Sequence, residues 1–179
     1  MKHPLDSLAA HVGTGRNYDC PPLHLWHPQL SGDIPIHISE QGIWYHEGSK
    51  IERPALVRLF ASILRKEEDG EYYLVSPVEK WRIQVANHPL RITDVDHNKT
   101  NSTPTLDAIL NTDKRIPISQ RHPLFLDPAL GDIAGISLCH GLTALCTRAA
   151  WYRLVHLAVP GAGCVVLKSG NYEFRLSTV

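Results

Sequence analysis

The sequence predicts an α+β protein made by duplication, two units that each curl an antiparallel sheet against one helix. Three observations carry this. The stretch "RPALVRLFASIL", Arg53 to Leu64, returns ninety-five positions later as "RAAWYRLVHLAV", Arg148 to Val159, sharing Arg53/Arg148, Ala55/Ala150, Arg58/Arg153 and Leu59/Leu154. Residues around each helix alternate between apolar and polar with the period of two that strands require. The tripeptide "GDI" opens the strands before the helix in both halves, at Gly32 to Ile34 and Gly131 to Ile133. A motif recurring at a fixed offset is the mark of repeated architecture.

Taken in order, residues 1–20 form a flexible N-terminus whose "GTG" at Gly13 to Gly15 lacks the third glycine and preceding strand of a dinucleotide fingerprint. In "DIPIHIS", Ile34, Ile36 and Ile38 point one way; "EQG" turns the chain and "IWYHEG" returns. The helix that follows opens near Arg53, because Pro54 suits a first turn, in preference to a start at Ser49 with Glu52 as its capping box. Its apolar stripe is Leu56, Leu59, Phe60, Ile63 and Leu64. "KEEDGE" is a polar turn before strands "YYLVSP" and "KWRIQV". Punctuation at Ala86 to Pro89 places a boundary there, giving domains 21–86 and 87–179. The second half continues through "LRITDV", "TLDAIL", "RIPIS", "LFL" and "GISLCHGLTAL". Its helix has Thr147 as N-cap, a stripe of Trp151, Leu154, Val155, Ala158 and Val159, and a stop by Pro160-Gly161. A hairpin turning at Ser169-Gly170-Asn171 closes the chain.

Composition bounds the function. A chain of 179 residues is long enough to bury roughly 70% of its unfolded surface. Lys plus Arg and Asp plus Glu each count 18, a formal charge of zero, which argues against a nucleic-acid or anionic-lipid footprint. No apolar run has signal-peptide or membrane-span length, so the expectation is a soluble cytoplasmic protein. Cys20, Cys139, Cys146 and Cys164 form no CxxC pair and are expected as reduced thiols.

The run Pro22 to Val85 resembles the bacterial family catalogued as domain of unknown function 1285, through Trp26, Gly32-Asp33-Ile34, "GIWYHEGS" at Gly42 to Ser49, the "RPALVRLFASIL" helix and "SPVEK" at Ser76 to Lys80. The second half is similar more loosely, through "HPL" at His122 to Leu124 and "GLTALCTRAAWYRL". The resemblance implies a duplicated α and β fold whose C-terminal half is superficially pleckstrin-homology-like. It also implies a site between the halves for a nucleotide-like molecule in signal transduction. "VAN" at Val85 to Asn87 stands where the family has an acidic turn, so no carboxylate role carries over to that position.

Residue chemistry supplies the candidates. Glu79 and Lys80, placed by the sequence at the junction between the halves, are candidate ligand-binding residues; the structural alternative is a solvated turn or a salt bridge. Arg58 and Arg153 lie on helix faces with small residues, where partial burial would demand a partner, Glu79 or Asp33 for Arg58, or a phosphate. Trp44 and Tyr45 occupy opposite strand faces, one for the core and one for a nucleobase beside the cations; Arg53, at the helix opening, completes the set. Cys20, His24 and His27 suit zinc chemically, yet three ligands on a proline-stiffened segment read as a surface segment anchored by Trp26. Cys139 and His140, successive on a strand, point apart and are expected to pack in the core. The sequons "NKT" and "NST" at Asn98 to Thr103 mark a polar loop. No nucleophile, base and oxyanion donor assemble and no metal or cofactor is called for. The reading is a non-enzymatic ligand-binding or sensor protein for a nucleotide-like molecule, with a signalling protein as a further partner and neither membrane nor nucleic acid. The alternatives are a protein-interaction module and a hydrolase.

Overall fold

The structure, a computed structural model, describes residues 21–98, 103–161 and 163–178. Two units emerge from the chain: one runs to Pro89 and takes in His140–Leu142, the other comprises Leu90–Cys139 and Thr143–Val179.

In the first unit a 3-10 turn at Leu23–Leu25 precedes β1 (Leu30–Ile38), β2 (Trp44–His46), β3 (Ser49–Lys50), α1 (Pro54–Ser62), β4 (Leu64–Lys66), β5 (Tyr72–Val75) and β6 (Lys80–Val85). The alternation of Ile34, Ile36 and Ile38 does what it predicts: all three are buried, and Ile38 faces Trp44 across the hairpin. Pro54 opens α1 with Arg53 as N-cap, since a proline ring tolerates only the first turn. The helix ends after Ser62, earlier than its stripe suggests. Leu64, read as the last helical apolar residue, instead begins β4, and within the helix proper only Phe60 is fully buried, its ring 6.2 Å from that of Trp44.

The second unit holds β7 (Leu90–Asn98), β8 (Thr105–Leu110), β9 (Arg115–Pro117), β10 (Leu124–Asp127), β11 (Ile133–Ser137), β12 (Thr143–Cys146), α2 (Arg148–Leu157), and then β13 (Val159–Gly161), β14 (Cys164–Ser169) and β15 (Tyr172–Thr178). Thr147 caps α2 as expected, its hydroxyl accepting from the Ala150 amide at 3.3 Å. The buried side of α2 is Ala150 and Leu154, a narrower stripe than the sequence suggests. Val155 is exposed. The helix stops at Leu157, so Val159 passes from the helix to the exposed strand β13. The segment "SLCHG" is also not a strand: Cys139–Gly141 is a tight turn with His140 at φ 59°, and Cys139 is exposed, not in the core. Only glycine suits position 141, where φ is +70° and a Cβ would stand 3.1 Å from the Lys66 carbonyl oxygen.

The duplication is written in the strand order. The first sheet runs β3-β2-β1-β6-β5-β4 and the second β9-β8-β7-β12-β11-β10, so each unit joins two three-stranded antiparallel meanders by pairing its first strand parallel to its last. The helices are not equivalent within this repeat. The first lies between the third and fourth strands, the second after the sixth. The "GDI" tripeptides likewise fall at unrelated places, within β1 and before β11.

The connection from β9 to β10 shows why the second sheet curls. These strands are opposite edges of six, about 24 Å apart if flat. Seven residue steps from Pro117 to Leu124 span at most about 25 Å fully extended. The link is far from extended, because Ser119 and His122 bond each other's backbone in a turn. The edges must therefore approach. Close packing follows at Gly135 on β11, where a Cβ would lie 2.7 Å from the Ala144 carbonyl oxygen and against the Phe125 ring that covers it. Gly135→Ala is expected to cost roughly 1–3 kcal/mol through overpacking against backbone that has no room to retreat; an unchanged urea midpoint would contradict the close approach.

Candidate functional site

Strand alternation sorts the first sheet into two faces. Ile34, Ile36, Ile38, Trp44, Leu74 and Ile83 turn to α1 and are buried. On the opposite face, register places Arg65 beside Tyr73, Tyr73 beside Arg82, and Arg82 beside Asp33, a row across four strands. Lys80 completes a cationic cluster there, with its ammonium 4.8 Å over the Tyr73 ring.

The charges in this cluster are held by shared carboxylates. Glu67 takes Lys80 Nζ at 2.8 Å on one oxygen and the Arg65 guanidinium on the other. All three are at most a quarter exposed: 13% for Arg65, 18% for Lys80 and 24% for Glu67. Burial alone would raise the Glu67 carboxyl, but the hydrogen bonds from Lys80 and Arg65 outweigh it and hold the group below the ordinary carboxylate range. Tyr73 donates to Asp69 at 2.6 Å, and that bond, followed by burial, pushes the phenol up to about 12. Arg82 forms a two-pronged pair with exposed Asp33, 2.7 and 3.0 Å, which lowers the carboxyl. Arg65 also clamps the 3-10 turn, since one of its nitrogens donates to the carbonyls of Leu23 and Trp26, both at 2.9 Å. His140 also sits nearby, its imidazole lowered by burial and then by Arg65 and His24.

The residues expected from sequence are divided by this geometry. Lys80 belongs to the cluster, whereas Glu79 turns to Trp81, which shares the α1 face with Leu74, and "SPVEK" is a turn between β5 and β6 inside one unit, not the handover between halves. The buried hydroxyl of Ser76 accepts from the amides of Val78 and Glu79, and the Glu79 carboxylate accepts from the Trp81 indole at 3.2 Å. Tyr45 shares the cluster's face in a neighbouring row, Lys50, Tyr45, His37 and Gln84, with its ring stacked on His37 at 4.6 Å and 3°. Trp44 is in the core, and its indole N–H is buried without an acceptor. Arg53 and Arg58 ride on α1, on the other side of the sheet from Lys80, and both are exposed, as is Arg153, which pairs with Asp94 at 3.1 Å. The expected partial burial of Arg58 and Arg153 does not occur, because α1 turns Phe60 inward and α2 turns Ala150 and Leu154 inward, which leaves both arginines exposed. Asp33 pairs with Arg82, not with Arg58.

Sequence reasoning misses Arg65, Glu67, Tyr73 and Arg82. The signal lies in "LRK", whose central residue is set between two of opposite orientation, but the run reads equally as a helix end and a polar turn. In the second unit the ionic groups are arranged differently: Arg115 spans Asp96 at 2.8 Å and buried Asp107 at 3.6 Å, and half-buried Arg91 donates to the Cys146 carbonyl at 2.9 Å. Burial pushes the Cys146 thiol up to about 12, so it is no nucleophile at neutral pH. Among the described residues no three His, Cys, Asp or Glu side chains gather as a metal site. Cys20, the "GTG" motif and most of the sequon loop lie outside the described residues.

Comparison with known proteins gives this geometry a family. Residues 21–88 match the domain of unknown function DUF1285, N-terminal domain, and residues 89–176 match the protein of unknown function DUF1285, C-terminal domain. The chain is similar to a DUF1285 family protein from Silicibacter pomeroyi DSS-3, at 35% identity over 96% of this chain and 95% of that one, with a TM-score of 0.83. It is also similar to a DUF1285 family protein from Shewanella baltica OS155, at 28% identity over 69% of this chain and 91% of that one, TM-score 0.56. No curated protein matches it. The chain belongs to the DUF1285 family.

Two outcomes test the cluster. Arg65→Ala leaves Glu67 half-compensated and two carbonyls without donors, and is expected to destabilise the protein by roughly 3 kcal/mol; a loss under about 1 kcal/mol in urea titration would show that the clamp is idle. The lowered Glu67 group contributes stability in full above its ordinary value of 4.5 and loses it as pH falls through its depressed value in the folded state. Stability of the parent should therefore fall more steeply below pH 4.5 than that of Glu67→Gln. Parallel acid profiles would rule out this carboxylate as a source of acid sensitivity.

Proposed function

We propose that this member of the DUF1285 family is a non-enzymatic ligand-binding or sensor protein, that its ligand is a phosphate-bearing, nucleotide-like molecule, and that the row Arg65, Tyr73, Arg82 with Lys80 is where it is recognised. The observation that supports this reading is the placing of three cations around one tyrosine on a single sheet face. Their balancing carboxylates, Asp33, Glu67 and Asp69, are at the margin, and that of Asp33 is 67% exposed. A phosphate oxygen offers Arg82 and Lys80 the same charge-assisted bonds as those carboxylates, and takes their place without leaving a cation unpaired. Tyr45, on the same face, is the flanking candidate, and Glu79, bonded to Trp81 on the opposite face, is left out of the row. Trp44 contributes through the core. Arg53 and Arg58, on α1, have no part in the site. A role in signalling in the cytoplasm, with the occupied state read by a partner protein, belongs to the same proposal; for the membrane, no helix among the described residues is long and apolar enough to cross one.

Ligand that binds only the folded state stabilises it by mass action, about 2.7 kcal/mol at a hundred times the dissociation constant. For a chain of this size that is a rise of roughly 5–10 °C in melting temperature. A thermal-shift panel of mononucleotides, dinucleotides, cyclic dinucleotides and inorganic phosphate is expected to give such a rise with one class, reduced in Arg82→Gln and Lys80→Gln variants that still fold. Equal shifts in parent and variants would move the site elsewhere; no shift with any of them would refute the nucleotide-like ligand.

A further inference from the structure

Five of the six sheet edges among the described residues are blunted. β3 has two residues, β4, β9 and β13 have three each, and β10 has four; β13 also carries Pro160, which has no amide hydrogen to offer. The sixth edge, β15, runs for seven residues, Tyr172–Thr178, paired with β14 on one side and with no strand on the other. The hairpin decides which of its groups face outward. The two-residue turn Gly170-Asn171 makes Ser169 and Tyr172 the closing hydrogen-bonded pair, so Tyr172 and Phe174 direct their amides and carbonyls to β14, while those of Glu173 and Arg175 point away from it. No backbone hydrogen bond among the described residues takes these outward groups up. The Glu173 and Arg175 side chains are exposed on one face of the ribbon. Glu173 pairs with Lys168 on β14 at 2.9 Å, whereas Arg175 makes no ion pair among the described residues. On the other face Phe174 is half-buried, opposite the fully buried Leu167.

We propose that the free edge of β15 pairs with the same edge of a second copy of this chain, antiparallel about a two-fold axis at Phe174. Hydrogen bonding admits only registers that set outward-facing residues opposite one another. An axis at Glu173 or at Arg175 would bring like charges face to face, whereas the axis at Phe174 sets each Glu173 opposite the partner's Arg175. Those two residues exchange both of their backbone hydrogen bonds, and Lys168, Glu173 and the partner's Arg175 form a row of alternating sign. On the other face the two Phe174 rings meet at the axis, as the non-hydrogen-bonded pair whose side chains approach most closely. The edge is thus complementary to itself in backbone, charge and packing, as a two-fold contact requires. One strand from each copy provides less than the roughly 800 Å² per partner of a standard interface, which makes the dimer weak, with a dissociation constant of about a micromolar or above. The contact is independent of any ligand on the first unit.

Sedimentation velocity on the full chain from about 1 μM to about 1 mM tests it. The expected result is a monomer–dimer equilibrium whose dissociation constant rises about tenfold in Glu173→Lys and in Arg175→Glu, each of which sets like charges across the axis twice. An equal mixture of the two variants should associate again, because every charge then lies opposite its counter-charge. Both positions are exposed, so circular dichroism and melting should stay those of the parent. Arg148→Glu, the same charge change on exposed α2, should dimerise as the parent does. A chain that stays monomeric throughout, with β15 left bare or capped by some other strand, would overturn the proposal. So would a dimer indifferent to both reversals, or a mixture that associates no better than either variant alone.

Discussion

Everything in each unit depends on closing a ring of strands by its two ends. β1 lies parallel to β6 and β7 parallel to β12, so the first and last strands of each set are neighbours at the centre, and the meanders extend outward from them. Parallel neighbours cannot be joined by a tight hairpin. The chain must leave one edge and return at the other, and what makes that return differs. In the first unit residues 51–63, most of them in α1, cross the sheet face and bury Phe60 against Trp44. In the second a short turn suffices because the sheet bends its edges together, and α2 is released to pack on β7 after the sixth strand. One strand plan therefore accommodates two helix positions.

The same plan explains where the chemistry gathers. An edge strand of three residues, β4, is tied to β5 on one side only, and Arg65 anchors it on the face opposite α1 through Glu67 and two backbone carbonyls. The neighbouring Tyr73, Lys80 and Arg82 are gathered by register alone. A cluster whose charges are balanced by carboxylates at its margin is stable when empty and is open to exchange with another anion, which is the physical content of the binding proposal. The second unit has ion pairs of similar kind, at Asp94, Asp96 and Asp107.

Much of the fold is legible in the residues. Period-two alternation finds β1 with its buried isoleucines, Pro54 and Thr147 mark both helix starts, and Gly170 marks the final hairpin, because each of these signals is local. The duplication is real, yet the repeated helix and "GDI", which first suggest it, mark places that do not correspond in the two units; the repeat is in strand order, a long-range property no short motif displays. Val155 and Val159 mislead for a related reason. A helical stripe identifies an apolar face but not whether anything covers it, and α2 turns its smaller side, Ala150 and Leu154, to the core. Of the site, Lys80 is legible as a polar residue beside a proline turn. Arg65 and Arg82 are not, since their significance comes from cross-strand pairing with Tyr73.

Native-state amide hydrogen exchange reads the closure of the units strand by strand. If the parallel pairings hold each unit together, the slowest-exchanging amides lie on β1, β6, β7 and β12, with the outer strands and β13–β15 opening at lower free energy. Maximal protection on the helices or on β14 and β15, while the four central strands exchange early, would contradict it.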